Sequence, residues 1–193
     1  MAQYPEKTLY AMVRDAAGQY PDHMAYQFMG KSTSYHQMLR RIDAAAAGLA
    51  QLGIGAGDRV TICMPNSPQA VDCFYALNRL GAVANVIHPL CAPAELDFHL
   101  RISRSKALLI LDQFYEKAAA VKPDCRILVA GLRGELPRHK KLFYRDAQLP
   151  QGNYLRWEQI YRYTLPPGKP AGDPHACACI LYSGGTTGKP KGV

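Results

Sequence analysis

Apolar positions recur along this chain at helical and strand spacings in alternation. Residues 9–20 have a helical pattern, and residues 25–28 and 31–34 flank Met29-Gly30 as the arms of a small hairpin. Ser34 and Gln37 then form an S-x-x-Q capping pattern, in which each side chain can satisfy a free backbone N–H. Behind it Tyr35, Met38, Leu39, Ile42, Ala46, Leu49 and Leu52 share one helical face, and Gly53 can supply a left-handed stop. Residues 59–64 (RVTICM) are a β-branched run and predict a strand. Asn66-Ser67-Pro68 offers an N-cap and a proline for the first helical turn. Ala70, Cys73, Phe74, Leu77 and Leu80 continue that helix up to Gly81. Strands are predicted at 83–87, 107–111 and 126–130, and helices at 93–103 and 112–120.

Strands alternating with helices over this length predict an α/β fold: a doubly wound, mainly parallel sheet with helices on both faces. The chain divides into an alternating α/β region over 1–130, a loop-rich connection over 131–173, and a strand with a glycine-rich loop over 174–193. In the middle interval Pro137, Pro150, Pro166, Pro167 and Pro170 break the periodicity, and only 157–163 reads as a short helix. Residues 176–182 (ACACILY) read as one strand running into the loop.

With 48% apolar and 20% charged residues, the 193-residue composition is that of a soluble globular domain. No apolar run approaches the ~18 residues of a membrane-spanning helix. The first ten residues lack a basic segment followed by an apolar stretch, so no secretory leader is expected. Cys63, Cys73, Cys91, Cys125, Cys177 and Cys179 form no C-x-x-C pair and are expected to be buried thiols in a reducing, cytoplasmic setting. No metal site is expected, because His23, His36, His99, His139 and His175 show no ligand spacing and are read as structural or solvent-facing.

The net charge of +8 suits phosphate-rich ligands, nucleic acid or an anionic membrane surface. Its densest cluster runs from Arg133 to Arg145, interrupted by Gly134 and Pro137, without a nucleic-acid-binding signature. The charge is compatible with peripheral membrane contact; a nucleic-acid partner is not expected.

The chemistry is concentrated in Ser183-Gly184-Gly185-Thr186-Thr187-Gly188-Lys189-Pro190-Lys191-Gly192. Glycines let backbone N–H groups approach a ligand, while three hydroxyls and two ammonium groups complete an anion cradle suited to a triphosphate. A Walker A loop does not fit. With Gly188-Lys189 as its G-K pair, the leading glycine falls on Ser183 and the metal-binding hydroxyl on Pro190. Gly53-Ile54-Gly55-Ala56-Gly57 follows a helix and precedes a strand, the reverse of a dinucleotide fingerprint, so it is a turn.

From Tyr182 to Gly192 the segment resembles the phosphate-loop signature of the adenylate-forming (AMP-binding) superfamily, usually Y-T-S-G-T-T-G-x-P-K-G. Ser183 replaces the threonine and Gly184 the serine, so one hydroxyl is lost. The doubled glycine is similar to a variant of some fatty-acid–CoA ligases. Tyr20-Pro21-Asp22 with Ala25, Gly57-Asp58-Arg59-Val60, Met64-Pro65-Asn66-Ser67-Pro68, Leu80-Gly81-Ala82-Val83, Pro89-Leu90 and Asp173-Pro174 resemble further family segments. His88 stands where many CoA ligases have asparagine.

The resemblance implies the N-terminal part of an ATP-dependent, AMP-forming acid–CoA ligase, with a fatty acid as the favoured acid. ATP, CoA and Mg²⁺ are the implied cofactors. Ser183, Thr186, Thr187 and Lys189 would meet phosphate oxygens through side chains, and Gly184, Gly185 and Gly188 through backbone N–H. Lys191 would contact phosphate or brace the loop against a carboxylate. Catalytic, adenine-, ribose- and Mg²⁺-binding residues would lie beyond Val193. The fragment alone is therefore expected to be inactive, and its open sheet edge to favour self-association. An amino-acid or aryl-acid adenylation domain loading a carrier protein shares this loop, and a non-catalytic binding fragment is a third reading.

Overall fold

The computed structural model describes residues 6–164, 172–183 and 191–192. Helix α1 (Leu9–Gln19) leads to a hairpin of β1 (Met24–Phe28) and β2 (Lys31–Ser34), and then to α2 (Tyr35–Gln51). β3 (Arg59–Cys63), α3 (Pro68–Arg79), β4 (Val83–Val86), α4 (Pro93–Ser103), β5 (Ala107–Leu111), α5 (Tyr115–Val121) and β6 (Arg126–Ala130) follow in strict alternation. After β6 come two short helices, α6 (Arg138–Lys141) and α7 (Trp157–Ile160), with the two-residue strand β7 (Leu155–Arg156) just before α7. The chain closes with β8 (Cys179–Ile180), β9 (Tyr182–Ser183) and β10 (Lys191–Gly192).

Local chemistry accounts for the boundaries. Ser34 Oγ accepts from the N–H of Gln37 while Gln37 Oε1 accepts from the N–H of Ser34, so the predicted reciprocal cap opens α2. Ser67 caps α3 ahead of Pro68 in the first turn. Gly53 and Gly81 end α2 and α3 at φ of 80° and 69°, a conformation costly for other residues.

Six strands form one parallel sheet in the order β7-β6-β5-β3-β4-β8. Alternate side chains divide between its faces. Ala107, Leu109 and Leu111 of β5 join the core with α1, α2, α3 and α7, whereas Leu108 and Ile110 join a second core with α4 and α5. Burial on both faces explains why β5 is apolar at every position.

The interval after β6 holds more than loops. β7 pairs with β6 and widens the sheet, and Trp157 is fully buried. A two-residue strand has no periodicity to read. An ion cluster joins this interval to the helices. Arg41 donates to Asp72 Oδ2 at 2.7 Å and bidentately to Glu135 at 2.7 and 2.8 Å. Tyr161 Oη donates to Asp72 Oδ2 at 2.6 Å and accepts from Trp157 Nε1 at 2.7 Å. Gly48 of α2 lets α7 approach: a Cβ there would lie 2.4 Å from the Ile160 carbonyl oxygen.

Three expectations need correction. The helix predicted over 112–120 divides into a 3₁₀ turn at Asp112–Phe114 and α5, because the buried Asp112 carboxylate accepts the N–H groups of Gln113 and Ala147. The strand predicted over 176–182 also divides: β8 pairs with β4, then β9 leaves the sheet to pair with β10. The cysteines are not uniformly buried. Cys63, Cys73 and Cys91 are, but Cys125 and Cys179 are half-buried and Cys177 is exposed, since the last two lie at a sheet edge. No helix among the described residues is long and apolar enough to cross a membrane.

Candidate functional site

The glycine-rich segment leaves the sheet beyond β8, at the carboxyl rim where open α/β sheets bind ligands. Gly184, Gly185, Thr186, Thr187, Gly188 and Lys189 lie outside the described residues. Ser183 and Lys191 are described through their backbone and face each other as partners in the antiparallel β9–β10 pair. Gly192 opposes Tyr182, and a Cβ there would sit 3.0 Å from an Ile180 methyl and 3.3 Å from the Tyr182 ring. A side chain at 192 would therefore crowd the base of the loop.

Tyr182 is gripped at both ends. Its ring lies 4.0 Å from the His99 ring, centroid to centroid, and its hydroxyl donates to Asn85 Oδ1 at 2.8 Å. Burial raises the Tyr182 phenol above its ordinary value, so it remains a neutral donor. Asn85 Nδ2 donates to Thr61 Oγ1 at 2.8 Å; Thr61 and Ser105 hydroxyls are 2.7 Å apart, and Ser105 and Ser103 hydroxyls 2.8 Å apart. Ser103 Oγ donates to the His99 carbonyl at 2.7 Å.

These bonds have one consistent direction. A carbonyl can only accept, so the single Ser103 proton is committed to His99, and Ser105 must donate to Ser103. Thr61 then donates to Ser105, having accepted from Asn85. The chain runs Tyr182, Asn85, Thr61, Ser105, Ser103 and the backbone of α4. Its members are buried apart from the half-buried Tyr182. His99 is also buried, with Nδ1 lacking a partner among the described residues and Nε2 3.6 Å from Glu95 Oε1. The α4 face of the sheet thus clamps the strand that opens the loop.

None of Thr61, Asn85, His99, Ser103 or Ser105 was singled out in the sequence as part of a site. A signal was present in two of them: Thr61 and Asn85 are lone polar positions inside apolar strands, and a parallel sheet buries such side chains. Among the described residues, no group of three or more His, Cys, Asp or Glu side chains could hold a metal ion, so no Mg²⁺ ligand is assigned to them.

The chain resembles known proteins over nearly its whole length. A long-chain-fatty-acid–CoA ligase of Bacillus subtilis is 31% identical over 206 residues, covering 98% of this chain and 36% of that protein. A salicyl-AMP ligase/salicyl-S-ArCP synthetase of Mycobacterium tuberculosis is 34% identical over 192 residues, covering 96% and 32%. The chain thus spans about a third of the length of these relatives. Among solved structures, an anthranilate CoA ligase in complex with anthranoyl-AMP matches with a TM-score of 0.82 at 21% identity, covering 98% of this chain and 35% of that one, which establishes the shared fold. The apo MbtA structure of Mycobacterium smegmatis matches at 0.75 and 31% identity, covering 98% and 34%. The AMP-binding enzyme family matches residues 13–193, and the chain belongs to that family.

Proposed function

We propose that the chain supplies the polyphosphate-gripping part of an ATP-dependent, AMP-forming acid–CoA ligase. In that reaction a carboxylate oxygen attacks the α-phosphorus of ATP, and the bond to the β-phosphate oxygen breaks to release pyrophosphate. The CoA thiol then attacks the acyl carbon and AMP leaves. The carboxylate is a weak nucleophile and the phosphates repel it, so positioning and charge neutralisation supply most of the acceleration.

The observation that carries this reading is the antiparallel pairing of Ser183 with Lys191 at the carboxyl rim of the sheet. It closes the base of a segment rich in glycine, hydroxyl and lysine. On this reading Ser183, Thr186, Thr187 and Lys189 bind phosphate oxygens, while Gly184, Gly185 and Gly188 donate backbone N–H groups. Lys191 either joins them or braces the loop. Mg²⁺ would neutralise phosphate charge when bound, held by groups other than the described side chains.

The doubled glycine and the Bacillus subtilis relative favour a fatty acid. The Mycobacterium tuberculosis relative favours a second reading, in which an aryl acid is adenylated and passed to a carrier protein. Half-reactions of the protein at its full length test the loop. Lys189→Ala should slow ATP–pyrophosphate exchange well beyond its effect on thiol transfer from preformed acyl-adenylate. Equal losses in both would contradict the role. An acid panel scored by AMP release, with CoA or carrier protein as acceptor, separates the two substrate readings.

A further inference from the structure

The basic cluster between Arg133 and Arg145 plays no part in the loop or its clamp, and it carries the most exposed large apolar side chains among the described residues. Leu142 is 79% and Phe143 90% exposed. This is a built protrusion. Phe143 and Tyr144 donate backbone N–H groups to the Lys140 carbonyl, Arg133 Nε donates to the Lys141 carbonyl, and Gln113 Nε2 donates to Tyr144 Oη. Lys140 Nζ donates to the Met29 carbonyl at 2.8 Å, which ties the segment to the β1–β2 turn, where Met29 is itself exposed.

Charge decides what such a tip would meet. Arg133, Arg138, Lys140, Lys141 and Arg145 flank it along the chain, and none is in an ion pair among the described residues. Glu135, the acid within the cluster, is buried and neutralised by Arg41 and Lys31. An exposed apolar tip in a segment of unpaired cations is complementary to an anionic bilayer: the side chains would enter the acyl boundary and the cations meet headgroup phosphates and carboxylates.

We propose that residues 138–145, with Met29, dock the protein on anionic membrane surfaces. The segment follows β6, four strand spacings or about 19 Å across the carboxyl rim from β8, so docking would turn this rim toward the lipid.

Vesicle co-sedimentation tests this. Phosphatidylcholine vesicles with about 30% phosphatidylserine should pellet the protein, pure phosphatidylcholine should not, and about 0.5 M salt should release it. L142S/F143S should weaken binding at least about tenfold. K140E/K141E should weaken it about 25-fold or more. These side chains lie at the surface, so urea midpoints should not move, which separates lost docking from lost fold. F143W should blue-shift on anionic vesicles, whereas the buried Trp157 gives a constant background. Equal pelleting with both vesicle types, or wild-type affinity in L142S/F143S, would overturn the proposal. So would a dimer that L142S/F143S dissolves without any vesicle binding, since a second copy would then be the occupant.

Discussion

Replacing Asn85 with leucine tests whether the α4 face clamps the loop-opening strand. The Asn85 side chain has no exposed surface and makes two bonds of 2.8 Å, one from Tyr182 and one to Thr61. Leucine is of similar size and makes neither. The buried Thr61 hydroxyl loses its incoming donor, and the Tyr182 hydroxyl loses its acceptor at a half-buried position. Thr61 keeps its bond to Ser105, so at about 1–2 kcal/mol for each of the two groups that loses a partner the loss is about 2–4 kcal/mol. With a urea slope of about 2 kcal/mol/M, the midpoint should fall by about 1–2 M. Tyr182→Phe alone should cost about 1–2 kcal/mol, since Asn85 Oδ1 is then buried without a donor. The double variant should cost at least about 1 kcal/mol less than the sum, because neither partner is then stranded. Far-UV circular dichroism and the fluorescence of Trp157, the single tryptophan, report the transition. An unchanged midpoint for Asn85→Leu, or strict additivity in the double variant, would refute the clamp.

Other substitutions probe the support of the site. Arg41→Met strands Asp72 and Glu135, whose side chains are 0% and 9% exposed, and should cost about 3–5 kcal/mol in urea unfolding. Burial pushes the Asp72 carboxyl up to about 6, against the pull of Arg41. A folded value above the ordinary carboxylate value means that this contribution is fully present below about pH 4 and lost as pH rises through 6. The Arg41→Met deficit should therefore be larger at about pH 7.5 than at about pH 5, and the reverse order would contradict the assignment. Gly48→Ala places a methyl against the Ile160 backbone and should cost about 1–3 kcal/mol, with Trp157 emission shifting red as α7 is pushed away.

Much of the fold was legible because each boundary has a local cause. The Ser34–Gln37 cap, Ser67-Pro68 and Gly53 act within one turn, and the helix over 93–103 and the strands over 107–111 and 126–130 begin and end where the apolar pattern does. The errors have non-local causes. β7 exists because β6 offers it an edge, the helix break at Asp112 depends on the distant Ala147, and β9 leaves the sheet because Lys191 and Gly192 return to pair with it. The site divides in the same way. The loop is contiguous and chemically unusual, so it was visible, whereas its clamp gathers Thr61, Asn85, His99, Ser103 and Ser105 from separate elements. Only the parallel register that sets Thr61 beside Asn85 brings them together.

The position of a bound nucleotide's polyphosphate is the most direct test of the loop's role. A crystal structure of the protein at its full length with a non-hydrolysable ATP analogue should place the β- and γ-phosphate oxygens within about 3 Å of Thr186, Thr187 and Lys189 and of glycine N–H groups in the same segment. Phosphates bound elsewhere, with the segment between Ser183 and Lys191 empty, would contradict it.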